Sequence, residues 1–211
     1  VLLDTYAEYE DIFERYSGHG ERILVFGECV GDPCGNIIEE AVNPYAFIIL
    51  ENEIRDTAKE TFGYFASQGV DIVVISGDNP VTASKVAVRA GINNAENYID
   101  ATTLKSRQDI REAITKYTVF GRVVPSQKKE IIEAYKESGK VVAMTGDGVN
   151  DVLALKCADC SVAMASGSEA ASNAAQVVLL DSDFSKMPQV VLEGRRVVNN
   201  IQLSLIHISE P

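Results

Sequence analysis

The sequence predicts an α/β fold built on a parallel, doubly wound, Rossmann-like sheet. Three observations carry this. From about residue 46, short apolar runs alternate with amphipathic stretches of helical period, the pattern of parallel strands joined by right-handed helical crossovers. Three of the helical stretches stop at a glycine, Gly69, Gly91 and Gly139, the residue that best closes a helix in the left-handed conformation. Two apolar runs end in hydroxyl-Gly-Asp, Ser76-Gly77-Asp78 and Thr145-Gly146-Asp147. In a doubly wound sheet the carboxyl ends of the strands face one ligand-binding crevice.

Taken in order, helical periodicity fills residues 4–17 through Tyr6, Tyr9, Ile12, Phe13 and Tyr16, and Gly18-His19-Gly20 breaks it. Residues 22–27 read as a strand and Gly31-Asp32-Pro33 as a turn. Residues 1–45 are too short for a domain and read as the tail of one that starts upstream. Next come an apolar strand at 46–50, an amphipathic helix at 54–68 and a strand at 71–75. A helix follows at 81–90, then a helix at 110–116, a strand at 118–121 and a helix at 126–138. The run 141–145, with no polar alternation, reads as a strand buried on both faces. A short helical pattern at 152–156 and strands at 161–165 and 177–180 complete the sheet.

The bulk composition excludes several classes. With 211 residues and 46% hydrophobic content, the chain can bury a sizeable core. A net charge of −12 argues against nucleic acid as the main partner. There is no run of 18 apolar residues to span a bilayer, and no signal-peptide pattern or initiator Met. The sequence reads as an internal piece of something longer. Cys157-Ala158-Asp159-Cys160 has metal-ligand spacing. A zinc site made with Cys29 and Cys34 would need the small first unit folded onto the second, so reduced thiols are expected.

The chemistry concentrates in Thr145-Gly146-Asp147-Gly148-Val149-Asn150-Asp151. Two carboxylates and an amide within five residues suit Mg²⁺, which takes a few carboxylates plus phosphate oxygens and waters. The glycines allow backbone N–H groups to approach an anion. At the other rim, the Ser76 hydroxyl with the Ser76 and Gly77 N–H groups can hold a phosphoryl group. The same turn also reads as a helix cap, with Asp78 or Asn79 as the capping residue and Pro80 opening the helix. Lys128 stands in the first turn of the helix that Pro125 opens. A cation there opposes the helix dipole by a few tenths of a kcal/mol, which points to an anionic partner. Lys129 beside it reads as surface.

The 145–151 string resembles the hinge motif of the P-type cation-transporting ATPases, a branch of the haloacid dehalogenase superfamily. Ser76-Gly77-Asp78-Asn79 resembles that family's second phosphate-binding strand end, and Val124-Pro125-Ser126-Gln127-Lys128 its lysine motif. Ala163-Met164-Ala165-Ser166-Gly167-Ser168 and Glu193-Gly194-Arg195-Arg196-Val197-Val198-Asn199-Asn200 resemble the segments that follow the hinge. The resemblance covers roughly residues 20–202. It implies that residues 1–45 end a nucleotide-binding domain, 46–192 form a haloacid dehalogenase-like phosphorylation domain lacking its first strand, and 193–202 begin a stalk toward a membrane.

It also implies roles and ligands. ATP and Mg²⁺ are the implied cofactors. Ser76 would contact the phosphoryl group, Lys128 would neutralise its oxygens and Asn150 would donate to one of them. Asp147 would ligate Mg²⁺, and Asp151 would hold a Mg²⁺-bound water or orient Lys128. Asp78 would meet the nucleotide ribose, with Gly77, Thr145, Gly146 and Gly148 lining the site. Arg22 would reach the ATP phosphates, and Arg55 would stand at the junction of the two cytoplasmic domains. The family usually has Asp-Pro before that arginine, where this chain has Asn52-Glu53. The family's nucleophile lies in an Asp-Lys-Thr-Gly motif, which is absent from these 211 residues and is therefore expected upstream. The fragment alone is expected not to turn over ATP. The intact protein would be a multi-pass membrane pump carrying this segment on its cytoplasmic side, its transported cation bound elsewhere. The alternatives are a soluble phosphatase of the same superfamily, or a nucleophile-less module that binds nucleotide or Mg²⁺.

The end of the chain departs from this pattern. Leu203-Ser204-Leu205-Ile206-His207-Ile208-Ser209-Glu210-Pro211 resembles the in-frame translation of a transposase sequencing adapter, and residues 203–211 are read as adapter read-through. Resequencing the source DNA across the codon for Gln202 should therefore replace these nine residues. An uninterrupted natural frame through Pro211 would refute the reading.

Overall fold

The computed structural model describes Tyr9 and residues 22–29, 42–51 and 53–209; for residues 22, 29, 42 and 204–209 it describes the backbone alone. The expected helix at 4–17 (apart from Tyr9), the turn at 31–33, Cys34 and Asn52 lie outside the described residues.

Two strands, β1 (Arg22–Cys29) and β2 (Val42–Leu50), form an antiparallel ribbon in which Arg22 faces Leu50 and Cys29 faces Val42. The strand expected at 46–50 thus starts earlier and belongs to this ribbon, not to the parallel sheet. Its apolar run encodes extended structure but not the direction of its partner. Leu24, Phe26, Ile48 and Leu50 leave one ribbon face exposed and apolar. On the other face Tyr9 packs its ring 5.1 Å from that of Phe47. A two-stranded ribbon with such a face is marginal by itself.

The remainder is the predicted α/β alternation. After helix α1 (Ala58–Ser67), strand β3 (Val74–Ile75) leads into α2 (Pro80–Arg89), β4 (Tyr98–Asp100), α3 (Arg107–Ala113), β5 (Val119–Gly121) and α4 (Pro125–Glu137). Then come β6 (Ala143–Gly146), α5 (Val152–Cys157), β7 (Cys160–Met164), α6 (Glu169–Ala174), β8 (Val177–Leu179) and α7 (Met187–Ser209). The strands make two parallel three-stranded sheets, in the orders β3-β5-β4 and β6-β7-β8. Gly69, Gly91 and Gly139 all have positive φ, at 73°, 85° and 85°, so the three expected helix stops are left-handed glycines. Helix α3 begins three residues before the expected start because Ser106 and Asp109 form a capping box.

The core has two main parts bridged by one helix. On α4, Ile131 enters a cluster with Phe120, Val123, Ile110 and Leu104, while Ile132 enters another with Met144, Leu155 and Ala163. Ile75 packs against both, so β3 and β6 border one interior although no ladder joins them among the described residues. The strand around 141–145 is not buried on both faces as the sequence suggested: Val141 is 89% exposed, and Ala143 and Thr145 are exposed too. The reason is that β6 is an edge strand, paired only with β7. An unbroken apolar run signals two covered faces, and here one neighbour is lacking.

Helix α7 runs unbroken through Gln202 and exposes Val190, Leu192, Val197, Val198, Ile201 and Leu203. Among the described residues, no helix is long and apolar enough to cross a membrane.

Close packing at the sheet rim is set by Gly121, where a Cβ would stand 2.3 Å from the Pro80 Cα. Gly121→Ala should cost about 3 kcal/mol, because only backbone could yield. Gly63, inside α1 with nothing within 4 Å of an added Cβ, should gain about 0.5–1 kcal/mol on replacement by Ala. Urea unfolding of both variants checks the opposite signs.

Candidate phosphate and metal site

The hinge turn is built around Asp151. It follows β6 in a 3₁₀ turn at Val149–Asp151 and is 7% exposed. One carboxylate oxygen accepts from Lys128 Nζ at 2.6 Å and the other from the Gly148 N–H at 3.2 Å. Both oxygens of a buried carboxylate thereby find donors, as burial requires. The Lys128 and Asp151 side chains are 13% and 10% exposed. Lys128 thus has one anionic partner inside the protein, Asp151, the residue expected to orient it. Gly146 permits the turn: a Cβ there would meet the Asp151 Cβ at 2.6 Å. Lys129 pairs with Glu133 at 3.4 Å on the surface.

Asp147 is held differently. Its carbonyl accepts from Ser168 N–H at 2.7 Å, and a Cβ on Gly167 would lie 2.5 Å from that same oxygen. Its side chain, like that of Asn150, is exposed. The backbone of Asp147 is therefore pinned from the β7–α6 loop while its carboxylate faces solvent. Gly167 and Ser168 carry this role, which the sequence reading did not assign; a glycine just past a strand end was the available signal.

The second rim element is the Ser76 turn. Asn79, not Asp78, caps α2, accepting from Val81 N–H at 2.9 Å with Pro80 at the first helical position. That settles which of the two residues caps and leaves Asp78 to other contacts. The Asp78 N–H donates to Ser76 Oγ at 3.1 Å, and the Ser76 hydroxyl lies 3.3 Å from an Asp78 carboxylate oxygen. The turn is joined to the strand end that leads into α4: Val123 N–H donates to the Ser76 carbonyl at 3.0 Å and Arg122 N–H to the Asp78 carbonyl at 2.7 Å. Since Lys128 lies one helical turn beyond Val124, the Ser76 turn, Lys128 and the hinge belong to one carboxyl-terminal rim.

Arg22 lies in β1, and its side chain is outside the described residues. Arg55 pairs with Asp183 at 3.4 Å and lines a cleft with Glu51, Glu53, Asp56, Lys59 and Arg89. Hydrogen bonds from Ser185 hold the Asp183 carboxyl below the usual carboxylate range, and the charges of Arg55 and Lys186 act in the same direction.

For a metal ion, the donor set is sparse. No group of three or more His, Cys, Asp or Glu side chains converges among the described residues. That fits Mg²⁺ held by one or two carboxylates, with phosphate oxygens and waters completing its shell, and does not fit an all-protein cage. Asp147 is the exposed carboxylate, whereas both Asp151 oxygens are already engaged. The cysteines Cys157 and Cys160 are free thiols, and burial pushes the Cys157 thiol up.

Parallel strands joined by helices, with a hydroxyl turn, a lysine and two aspartates at their carboxyl rim, define an α/β protein of the Rossmann-like class, and the chain belongs to the haloacid dehalogenase-like hydrolase family, whose model matches residues 30–159. Within it, the chain is 44% identical over 209 residues to the calcium-transporting ATPase CtpE of Mycobacterium bovis, covering 96% of this chain and 25% of that protein. It is 46% identical over 204 residues to the probable cation-transporting ATPase exp7 of Streptococcus pneumoniae, covering 95% of this chain and 26% of the relative. The chain thus spans about a quarter of the length of these relatives. The crystal structure of a zinc-transporting PIB-type ATPase in an E2.Pi state shares the fold, with a TM-score of 0.65 at 20% identity over 93% of this chain and 26% of that one.

The Lys128–Asp151 pair makes a stability prediction. Asp151→Ala strands a mostly buried ammonium and the Gly148 N–H, and should cost about 3 kcal/mol. The double variant Lys128→Met with Asp151→Leu should cost clearly less, because no charge is left unpaired. Equal losses in urea unfolding would show that the pair is not what holds the turn.

Proposed function

We propose that this chain is the phosphorylation-domain segment of an ATP-driven cation pump of the P-type, together with the end of its nucleotide-binding domain. The observation that carries this reading is a pair of strands with one open edge each. β3 and β6 both end in hydroxyl-Gly-Asp and border a common interior through Ile75, yet among the described residues each has a ladder on one side only. One more parallel strand between them would complete a doubly wound sheet and bring its own carboxyl end between Ser76 and Lys128. That is the position for a nucleophilic Asp, supplied by a part of the protein outside these 211 residues. The exposed apolar face of the β1–β2 ribbon fits the same reading, as a surface that the rest of a nucleotide-binding domain would cover.

In this reading the nucleophilic carboxylate attacks the γ-phosphorus of ATP, the bond to the bridging oxygen breaks and ADP leaves. Splitting hydrolysis this way replaces one difficult step with two. Ser76 and the Gly77 N–H hold the transferring phosphoryl oxygens. Lys128, aimed by Asp151, neutralises them, and Asn150 donates to one. Asp147 would hold Mg²⁺ directly and Asp151 would act through Lys128 or through a water on the ion, which would supply further neutralisation of the phosphate charge. Asp78 serves the ribose, and Gly77, Thr145, Gly146 and Gly148 leave room for the nucleotide phosphates. Arg22 and Arg55 act from the nucleotide-domain side, Arg55 after leaving Asp183. The intact protein is a membrane protein that presents this segment to the cytoplasm, and its transported cation binds elsewhere.

The full-length gene should encode an Asp-Lys-Thr-Gly motif upstream, and its product should take up phosphate from ATP in a Mg²⁺-dependent way. Asp147→Ala should lower the rate of that phosphorylation about 10²–10³-fold. Unchanged Mg²⁺-dependent turnover in Asp147→Ala would overturn the site assignment.

A further inference from the structure

We propose that Arg122 is a positioning residue for the Ser76–Asp78 turn, holding it in place through a left-handed backbone conformation. The proposal deepens the reading of that turn as the phosphate-binding element and rests on it for its functional meaning. Its structural content stands separately.

Among the described residues, three non-glycine residues have positive φ: Asn94 at 57°, Arg122 at 53° and Ser182 at 50°. Asn enters this region readily, because its short polar side chain can bond locally. Ser182 uses its hydroxyl, which accepts from Ser166 N–H at 2.8 Å. Arginine has no such short-range compensation, so something else must hold it there. The structure supplies it on both sides of the residue. Arg122 N–H reaches the Asp78 carbonyl at 2.7 Å, and the next amide, Val123 N–H, reaches the Ser76 carbonyl at 3.0 Å. Ser76 N–H in turn donates to the Phe120 carbonyl at 2.9 Å. The reversal at Arg122 aims two successive N–H groups at the first and last carbonyls of the hydroxyl-Gly-Asp turn.

The side chain reinforces this. Arg122 Nη1 pairs with Asp100 Oδ2 at 2.9 Å, and Asp100 faces Gly121 in the β4–β5 ladder. Asp100 is itself fixed, its other oxygen accepting from Thr102 N–H at 3.0 Å and from the Thr102 hydroxyl at 2.6 Å. The guanidinium is about half exposed, and an exposed pair contributes little by itself. The backbone is therefore the main agent and the ion pair a secondary restraint. Gly121 sits against Pro80 immediately before it, so the strand end cannot relax toward the turn if Arg122 leaves the left-handed region. One residue thus ties the ends of β3, β4 and β5 together.

The test separates backbone from side chain by comparing two substitutions that both remove the guanidinium. Arg122→Gly keeps the left-handed region accessible, and Arg122→Val penalises it. Amide hydrogen exchange in the 211-residue chain reads the protection of Val123 N–H, with Ile131 N–H reporting global opening. Arg122→Val should lower protection at Val123 about tenfold or more relative to Arg122→Gly, with Ile131 alike in the two. Equal protection at Val123 in both would overturn the proposal. If Arg122→Val does not fold, Arg122→Ala against Arg122→Gly is the same comparison with a smaller expected gap, and equality again overturns it. In the full-length protein, the rate of phosphorylation at saturating ATP should fall in Arg122→Ala and recover in Arg122→Gly. Phosphorylation that ignores a loosened turn would sink the phosphate-binding role of Ser76 while leaving the exchange result to decide the latch.

Discussion

The structure depends on the contact between Lys128 and Asp151. Among the described ion pairs it alone has both side chains well withdrawn from water. A buried charge is tolerated only when paired and hydrogen-bonded, and this pair satisfies that with a second donor from Gly148. Its position gives it reach. Lys128 begins the helix that feeds Ile131 into one core cluster and Ile132 into the other, and Asp151 opens the segment after β6. The contact therefore links two sheets that share no ladder among the described residues. Any account of the rim starts from it, because the orientation of the lysine is set by the same carboxylate that shapes the hinge turn.

Around that contact, several rim residues do two jobs. Asn79 caps α2, while Asp78 bonds within the turn to Ser76. Gly167 and Ser168 pin the Asp147 backbone while leaving its carboxylate to solvent. The division is economical in a physical sense. The backbone is held by hydrogen bonds that cost no side-chain functionality, and the side chains stay available for a ligand. Such preorganisation is what electrostatic stabilisation of a developing charge requires.

The sheet itself is built as a flank. β6 has exposed side chains at Ala143 and Thr145, and β3 is two residues long with both side chains half-buried. An open strand edge presents unpaired N–H and C=O groups and invites another strand. The same incompleteness marks the β1–β2 ribbon, whose Leu24, Phe26, Ile48 and Leu50 face outward. Both features agree with a chain that spans a quarter of the length of its relatives.

Much of the fold was legible in the sequence because its determinants are local. The three helix-ending glycines follow from the steric freedom of glycine at positive φ, and each appears where expected. The strand–helix alternation, the Pro80 and Pro125 helix starts and the hinge turn are patterns of a few neighbouring residues. Strand β4 escaped notice because three residues carry no periodicity, and its existence depends on pairing with Val119, Phe120 and Gly121. Tertiary structure alone decided four further matters: that 46–50 pairs antiparallel with β1, that β6 is an edge, that Asp151 is withdrawn from water with its two oxygens shared between Lys128 and the Gly148 N–H, and that Arg122 turns left-handed against Asp78. Each of these rests on groups distant in sequence coming within bonding reach, and no local pattern specifies which distant group will arrive.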